Sequence, residues 1–150
     1  MLFSSALEGA EVEAVAGWLS DTERLMFFAQ PAFDQRHGLE SAQYTAQRQP
    51  ERKDLIRAAL LHDVGKRHAN LSPLGRSLAS AYTKLGGKAR GRWRNYSDHG
   101  LVAASELERL GAEPIVFEFA RHHHGERPPS IPLADWALLQ AADGIRPITE

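Results

Sequence analysis

The chain has 150 residues, a formal net charge of -1 and 43% hydrophobic residues, which suits one ordinary domain with its own core. It has no cysteine, so disulfides and thiolate metal sites are excluded, and any transition metal would be held by imidazole and carboxylate groups. The near-neutral charge argues against nucleic-acid binding through bulk electrostatics, and the lack of a long apolar stretch or a signal-like N-terminus predicts a soluble, cytoplasmic protein with no membrane partner.

Apolar residues repeat at three- and four-residue spacing along the chain, and no segment shows the alternation of a strand. The pattern predicts an all-α fold, a compact bundle of five or more core helices. Helices are predicted at about 8–19, 21–30, 34–47, 51–64, 73–85, 97–110, 114–123 and 133–143, with Asp21 and Ser97 as N-caps. We expect one domain over 1–150, with a core at about 35–145 and an N-terminal helical extension at about 1–34.

The segment 64–97 has no acidic residue but many basic ones. Its cations are Lys66, Arg67, Arg76, Lys84, Lys88, Arg90, Arg92 and Arg94. Such a basic surface suits an anionic ligand such as a phosphate ester. A solvated charged loop explains the run equally well.

The strongest local motif is the His-Asp-x-Gly-Lys sequence at 62–66. His62 follows Leu55 by seven residues and Asp63 follows Ile56 by seven, so both side chains should face inward with the apolar side of their helix. Burial of an imidazole and a carboxylate is costly unless something compensates for it. A metal ion would do so; the alternative is a structural His-Asp hydrogen bond at a helix end.

Four further polar residues share this inward phase in other predicted helices. They are His37, His99, His123 and Asp143. Any one of them alone is explained more simply as a core histidine or a helix-end carboxylate. Their occurrence in five segments together favours a common metal site.

This ordered set resembles the HD superfamily of metal-dependent phosphohydrolases, whose signature is a histidine, a His-Asp doublet and a distant aspartate. Here those residues are His37, His62, Asp63 and Asp143. The additional His99 and the pair His123-His124 resemble the pattern of two-metal members such as the HD-GYP phosphodiesterases. The loop 125–129 lacks their Gly-Tyr-Pro motif, so cyclic di-GMP is not the expected substrate.

The resemblance implies a binuclear site that hydrolyses a phosphate ester of a nucleotide-like or other small phosphorylated substrate. Its metal ligands would be His37, His62, Asp63, His99, His123, His124 and Asp143. Asp63 would bridge two divalent ions that activate water, and Lys66 would act beside it as a catalytic and substrate-binding cation. Arg90, Arg92 and Arg94 would also bind substrate. Lys66 is explained equally well as a helix C-terminal charge.

Imidazole and carboxylate ligands favour Mn or Fe, and Mg, Co, Ni or Zn are also compatible. Among the three adjacent histidines 122–124, His123 is the first choice as a ligand and His124 the second, because neighbours on a helix point about 100° apart.

Three other functions fit the same residues. The ligand set resembles that of diiron oxygenases that act on a small polyol or phosphonate. The doublet also resembles HD nuclease domains, in which case Trp93 and Tyr96 could stack on the bases of single-stranded nucleic acid. A non-catalytic interaction domain is disfavoured, because every expected ligand is present.

Overall fold

A computed structural model of the chain describes residues 6–68, 78, 81, 82, 84–88 and 98–144. Within these residues the regular secondary structure is helical, with no strand, so the predicted all-α class is confirmed. The complete α-helices are α1 (Ala10–Trp18), α2 (Asp21–Phe28), α3 (Ala32–Arg48), α4 (Lys53–Leu61), α5 (His99–Arg109), α6 (Pro114–His122) and α7 (Leu133–Asp143). One 3₁₀ helix spans Val64–His68. None of the helices in the described part of the chain is long and apolar enough to cross a membrane.

The centre of the bundle is α4. Its buried side chains are Leu55, Ile56, Ala58, Ala59, Leu60 and Leu61. They pack against α3, α6 and α7, and also against the N-terminal helices α1 and α2. Such a continuous apolar segment can be buried only if other helices surround it. The end of α4 therefore lies deep in the protein.

The remaining helices pack around this centre in pairs. α5 lies along α6 and also contacts the 3₁₀ helix, while α7 packs on α3 and α4. Phe119 of α6 and Trp136 of α7 meet edge to face, with ring centroids 5.7 Å apart. As a result, the ends of α4, α6 and α7 and the start of α5 come together on one side of the core.

The start of α2 differs from the prediction. Asp21 is the first helical residue, and Ser20 is the N-cap. The Ser20 hydroxyl accepts from the Glu23 amide, and the Glu23 carboxylate accepts from the Ser20 amide at 2.9 Å. This is a capping box, which satisfies two backbone donors that a helix start leaves free.

Two other helix boundaries concern the candidate site. α4 ends at Leu61 rather than near residue 64, so His62 and Asp63 lie in the turn that leads to the 3₁₀ helix. The N-cap of α5 is Asp98, one residue later than predicted. Of the described residues in the predicted helix at 73–85, Leu78, Ala81, Tyr82 and Lys84 are helical, and Leu85 lies in a turn.

Candidate metal centre

The structure brings together the seven side chains expected as metal ligands. Each lies within or next to the end of a helix: His37 in α3, His62 and Asp63 after α4, His99 at the start of α5, His123 and His124 after α6, and Asp143 at the end of α7. Their ligand atoms fall into three overlapping groups, in each of which they lie within 4.8 Å of one another. We divide the cluster at Asp63 into two halves, which are described in turn.

The proximal half consists of His37, His62 and Asp143. The Nε2 atoms of His37 and His62 lie 3.2 and 3.0 Å from Oδ1 of Asp143. Oδ2 of Asp63 faces the same space, 3.5 Å from Nε2 of His62 and 4.0 Å from Nε2 of His37. Two imidazoles and two carboxylates thus surround one small volume.

The distal half consists of His99, His123 and His124. The Nε2 atoms of His99 and His123 lie 3.0 and 3.4 Å from Oδ1 of Asp63. Nε2 of His99 is also 3.3 Å from Nε2 of His123 and 3.2 Å from Nε2 of His124. Three imidazole nitrogens and one carboxylate oxygen thus converge here.

Asp63 belongs to both halves, because its two carboxylate oxygens face opposite directions. Its side chain is 5% exposed. Oδ1 is buried without a hydrogen bond, although the Nε2 atoms of His99 and His123 lie 3.0 and 3.4 Å away. A buried carboxylate oxygen that lacks a hydrogen bond is costly, and a metal ion would compensate for it. The donor set therefore fits one cation in each half, with Asp63 between them.

Backbone hydrogen bonds orient two of the histidines toward the cluster. Nδ1 of His62 lies 2.8 Å from the carbonyl oxygen of Ala59, and Nδ1 of His123 lies 2.8 Å from that of Ala120. A carbonyl can only accept, so each ring donates from Nδ1, and in a neutral ring the lone pair of Nε2 faces the cluster. This arrangement is typical of metal-binding histidines, whose second nitrogen is held by a backbone or carboxylate acceptor.

The electrostatics of the proximal half favour a bound cation. Burial works against ionisation of Asp63 and Asp143, but His62 and Lys66 lower the pKa of Asp63, and hydrogen bonds with His37 and His62 lower the pKa of Asp143. Burial also opposes protonation of His62, yet the two carboxylates raise the pKa of this imidazole. The carboxylates thus stay ionised and attract positive charge into the site.

In the distal half the pKa shifts favour neutral side chains rather than charged ones. Burial lowers the pKa of His123, and partial burial together with His123 and His99 lowers the pKa of His124 to about 4. Both rings are therefore neutral at physiological pH, and neutral imidazole is the form that binds metals.

The adjacent histidines 122–124 divide between the site and the surface. His122 turns away from the cluster, and its Nε2 lies 3.5 Å from a carboxylate oxygen of Glu118. His123 faces the cluster in helical phase, with its amide donating to the carbonyl oxygen of Phe119, and His124 reaches the same cluster from the turn that follows. His123, the first choice from helical phase, is buried, and His124, the second choice, is more exposed.

The cations expected near the site are partly within the described residues. The Lys66 ammonium forms an ion pair with Oδ2 of Asp63, so it lies at the cluster. Arg90, Arg92 and Arg94 lie outside the described residues, as do Trp93 and Tyr96.

A small cavity beside the distal half was not foreseen from the sequence. It has a volume of about 100 Å³ and is lined by Asp98, Gly100, Leu101, Arg121, His123 and His124. Arg121 forms ion pairs with Glu108 and Glu118 at 3.0 and 3.1 Å. Arg121 precedes His123 by two residues, and this position is the one sequence signal that could have indicated a cation near the distal half.

Comparison with known protein families gave a match over most of the chain. A family model described as HD domain matches residues 11–146. No curated protein and no solved structure matches the chain. Members of this all-helical family are generally metal-dependent hydrolases. Because the match covers most of the chain, and the structure gathers the histidine and aspartate side chains that the signature requires, this protein belongs to the HD domain family.

Proposed function

We propose that the protein is a phosphohydrolase that cleaves a phosphate ester of a small phosphorylated substrate with the help of two divalent ions. The observation that carries the proposal is the position of Asp63, which presents one carboxylate oxygen to each half of the cluster. A carboxylate shared in this way is the natural bridge between two ions in one site. Phosphoryl transfer to water is the reaction that two-metal sites commonly support.

The residues would divide between two ions. His37, His62 and Asp143 would hold one ion, and His99, His123 and His124 the other, with Asp63 common to both. When bound, such ions supply an activated water and positive charge for the phosphoryl oxygens. Imidazole-rich ligation favours Mn or Fe over the oxygen-preferring Mg, and Co, Ni and Zn are also compatible.

The chain itself would supply orientation and further charge. Negative charge grows on the phosphoryl oxygens in the transition state, and preorganised cations stabilise it. Lys66 lies at the proximal half beside Asp63, and Arg121 lines the cavity at the distal half. We propose that Lys66 binds a phosphoryl oxygen, and that Arg90, Arg92 and Arg94 contribute to attraction of the substrate.

The first test measures metal content and activity together. Protein purified without chelator is analysed for metals and assayed on phosphomonoesters, cyclic nucleotides and oligonucleotides. We expect close to two ions per chain and release of product from at least one small phosphorylated compound. Activity should disappear on chelation and return on addition of Mn²⁺ or Fe²⁺.

Other outcomes would replace this proposal. Oxygen consumption with a small polyol or a phosphonate as substrate, in place of phosphate release, would identify an oxygenase. Cleavage confined to single-stranded oligonucleotides would identify a nuclease. A wild-type protein that binds no metal and hydrolyses none of the panel would end the hydrolase hypothesis.

A further inference from the structure

Gln140 connects the two halves of the metal centre, although it is not one of the candidate ligands. Its side-chain amide donates to the carbonyl oxygen of His123 at 2.8 Å. Gln140 belongs to α7, which also carries Asp143 of the proximal half, whereas His123 belongs to the distal half. One hydrogen bond therefore links the helix of one half to the backbone of the other.

The carbonyl that Gln140 engages needs a partner. His123 is the C-cap of α6, and the last carbonyl oxygens of a helix have no N–H donor within the helix itself. The neighbouring carbonyl of His122 accepts from the Gly125 amide at 2.7 Å. The side chain of Gln140 fulfils the same need at His123, and it does so from another helix.

The direction of Gln140 matches that of Asp143. The two residues are three apart on α7, so their side chains lie on the same side of the helix. Asp143 uses that side to contact His37 and His62, while Gln140 contacts the backbone of His123. A rotation or shift of α7 would therefore displace both contacts together.

A second side-chain-to-backbone bond holds α7 on its other neighbour. The Ser41 hydroxyl of α3 donates to the carbonyl oxygen of Ala142 at 3.0 Å, in a buried environment. Ser41 follows His37 by one helical turn on α3. The Ser41 bond thus links two helices that both belong to the proximal half, whereas the Gln140 bond crosses between the halves.

We propose that Gln140 is a positioning residue that sets the placement of His123 and His124 relative to Asp63 and Asp143. This inference rests on the proposed function in that it assumes an ion in each half. Metal sites tolerate displacements of only about 0.5 Å in their ligands. Loss of the Gln140 bond should therefore weaken the distal ion and leave the proximal ion in place.

The test compares metal binding by the whole chain with and without the amide donor. Metal-free wild type and Gln140→Met are titrated with Co²⁺, and binding is followed by visible absorbance and by calorimetry. His99→Ala identifies the binding step that belongs to the distal half. Gln35→Met is the matched control, because the Gln35 amide also donates to backbone carbonyls, those of Phe28 and Gln30, but outside the cluster.

His99→Ala should remove the distal binding step. We expect Gln140→Met to weaken the Co²⁺ affinity of that step by about 10- to 100-fold, the usual effect when a group that supports a metal ligand is lost. The other step should change by less than about threefold, and Gln35→Met should change neither. If Gln140→Met does not fold, Gln140→Asn makes the same comparison, because its shorter amide cannot reach the carbonyl.

Two results would overturn the inference, and they differ from failure of the proposed function. Gln140 is only a structural residue if its variant has a lower melting temperature but both binding steps are unchanged, as they should be in Gln35→Met. If both steps weaken equally, it does not act on the distal half. A wild type that binds no Co²⁺ refutes the proposed function as well.

Discussion

Gly65 lies against the carbonyl of His99 so closely that a Cβ atom on residue 65 would be 2.0 Å from the carbonyl oxygen. Gly65 belongs to the 3₁₀ helix that follows Asp63, and His99 begins α5. The absence of a side chain at residue 65 is thus what allows Asp63 and His99 to meet. The glycine of the His-Asp-x-Gly-Lys motif has a packing role that the motif alone does not reveal.

Gly65→Ala should therefore separate α5 from the 3₁₀ helix. Backbone atoms surround the new methyl group, and overpacking of this kind typically costs about 1–3 kcal/mol. We expect a lower free energy of unfolding in urea and weaker metal binding. Gly17→Ala is the control, since its Cβ would meet open space and alanine favours a helix. Equal stability of the two variants would contradict the packing role.

The neighbouring His122 and His124 should respond differently to replacement by alanine. His124 faces the distal half with Nε2 3.2 Å from that of His99, while His122 faces Glu118. His124→Ala should weaken binding of one ion by at least about 10-fold, and His122→Ala should leave both ions bound. Calorimetric titration with Mn²⁺ measures both variants. A larger effect of His122→Ala would show that the distal half is wrongly assigned.

Lys66→Met should lower turnover without loss of metal. Lys66 pairs with Asp63 at the edge of the proximal half, and removal of a single transition-state donor costs about 10²- to 10³-fold in kcat. Metal content, measured by elemental analysis on the same sample as the kinetics, should remain that of the wild type. Full activity of the variant would show that Lys66 only balances the charge of Asp63.

The acid stability of the fold should depend on Glu23. Burial opposes ionisation of this carboxyl, but hydrogen bonds from Arg57 and Ser20 outweigh it and lower the pKa of Glu23 from 4.5. The Arg57 guanidinium lies 2.6 Å from Oε1 of Glu23. Because the folded pKa is below the unfolded one, the carboxylate stabilises the protein above about pH 4.5, and this contribution is lost as the pH falls through the folded pKa.

Glu23→Gln tests this dependence. The substitution should cost roughly 1–3 kcal/mol at neutral pH, because it leaves a charged partner with a weaker acceptor. The difference in melting temperature between the wild type and the variant should shrink below pH 4.5. The exposed Glu13→Gln should show no such convergence. A difference that stays constant with pH would rule out the ionised Glu23 as its source.

The sequence predicted the helical class and the inward direction of the candidate ligands because both follow from local periodicity. The structure brings together His37 of α3, His62 from the turn after α4 and Asp143 of α7. Their exact roles as ligands, and the single-domain organisation, stay predictions.

Contacts between distant segments could not be predicted in this way. The approach of Gly65 to His99 and the bond from Gln140 to His123 depend on how helices cross, which one helix's periodicity does not specify. His123 keeps the helical phase, because its backbone angles are helical and its amide donates to the carbonyl oxygen of Phe119, whereas His124 lies in the turn that follows α6. The N-cap of α2 is Ser20 rather than Asp21, because Ser20 forms the capping box with Glu23.

Metal should stabilise the wild type through Asp63 more than through any other residue. A ligand that binds only the folded state raises its stability by an amount that grows with concentration, about 2.7 kcal/mol at 100 times the dissociation constant. The melting temperature should therefore rise as Mn²⁺ is added to metal-free wild type. In Asp63→Ala both halves lose a carboxylate oxygen, so the melting temperature should respond little to Mn²⁺.

The opposite result is expected if Asp63 is only a structural partner of His62 and Lys66. Asp63→Ala would then melt lower than the wild type at every Mn²⁺ concentration, and the wild type would gain nothing from the metal. Asp54→Asn is the control, because it weakens an ion pair with Arg52 away from the cluster and should keep the full response to Mn²⁺. The slope of melting temperature against Mn²⁺ concentration, rather than the melting temperature itself, therefore distinguishes a bridging ligand from a buried salt-bridge partner.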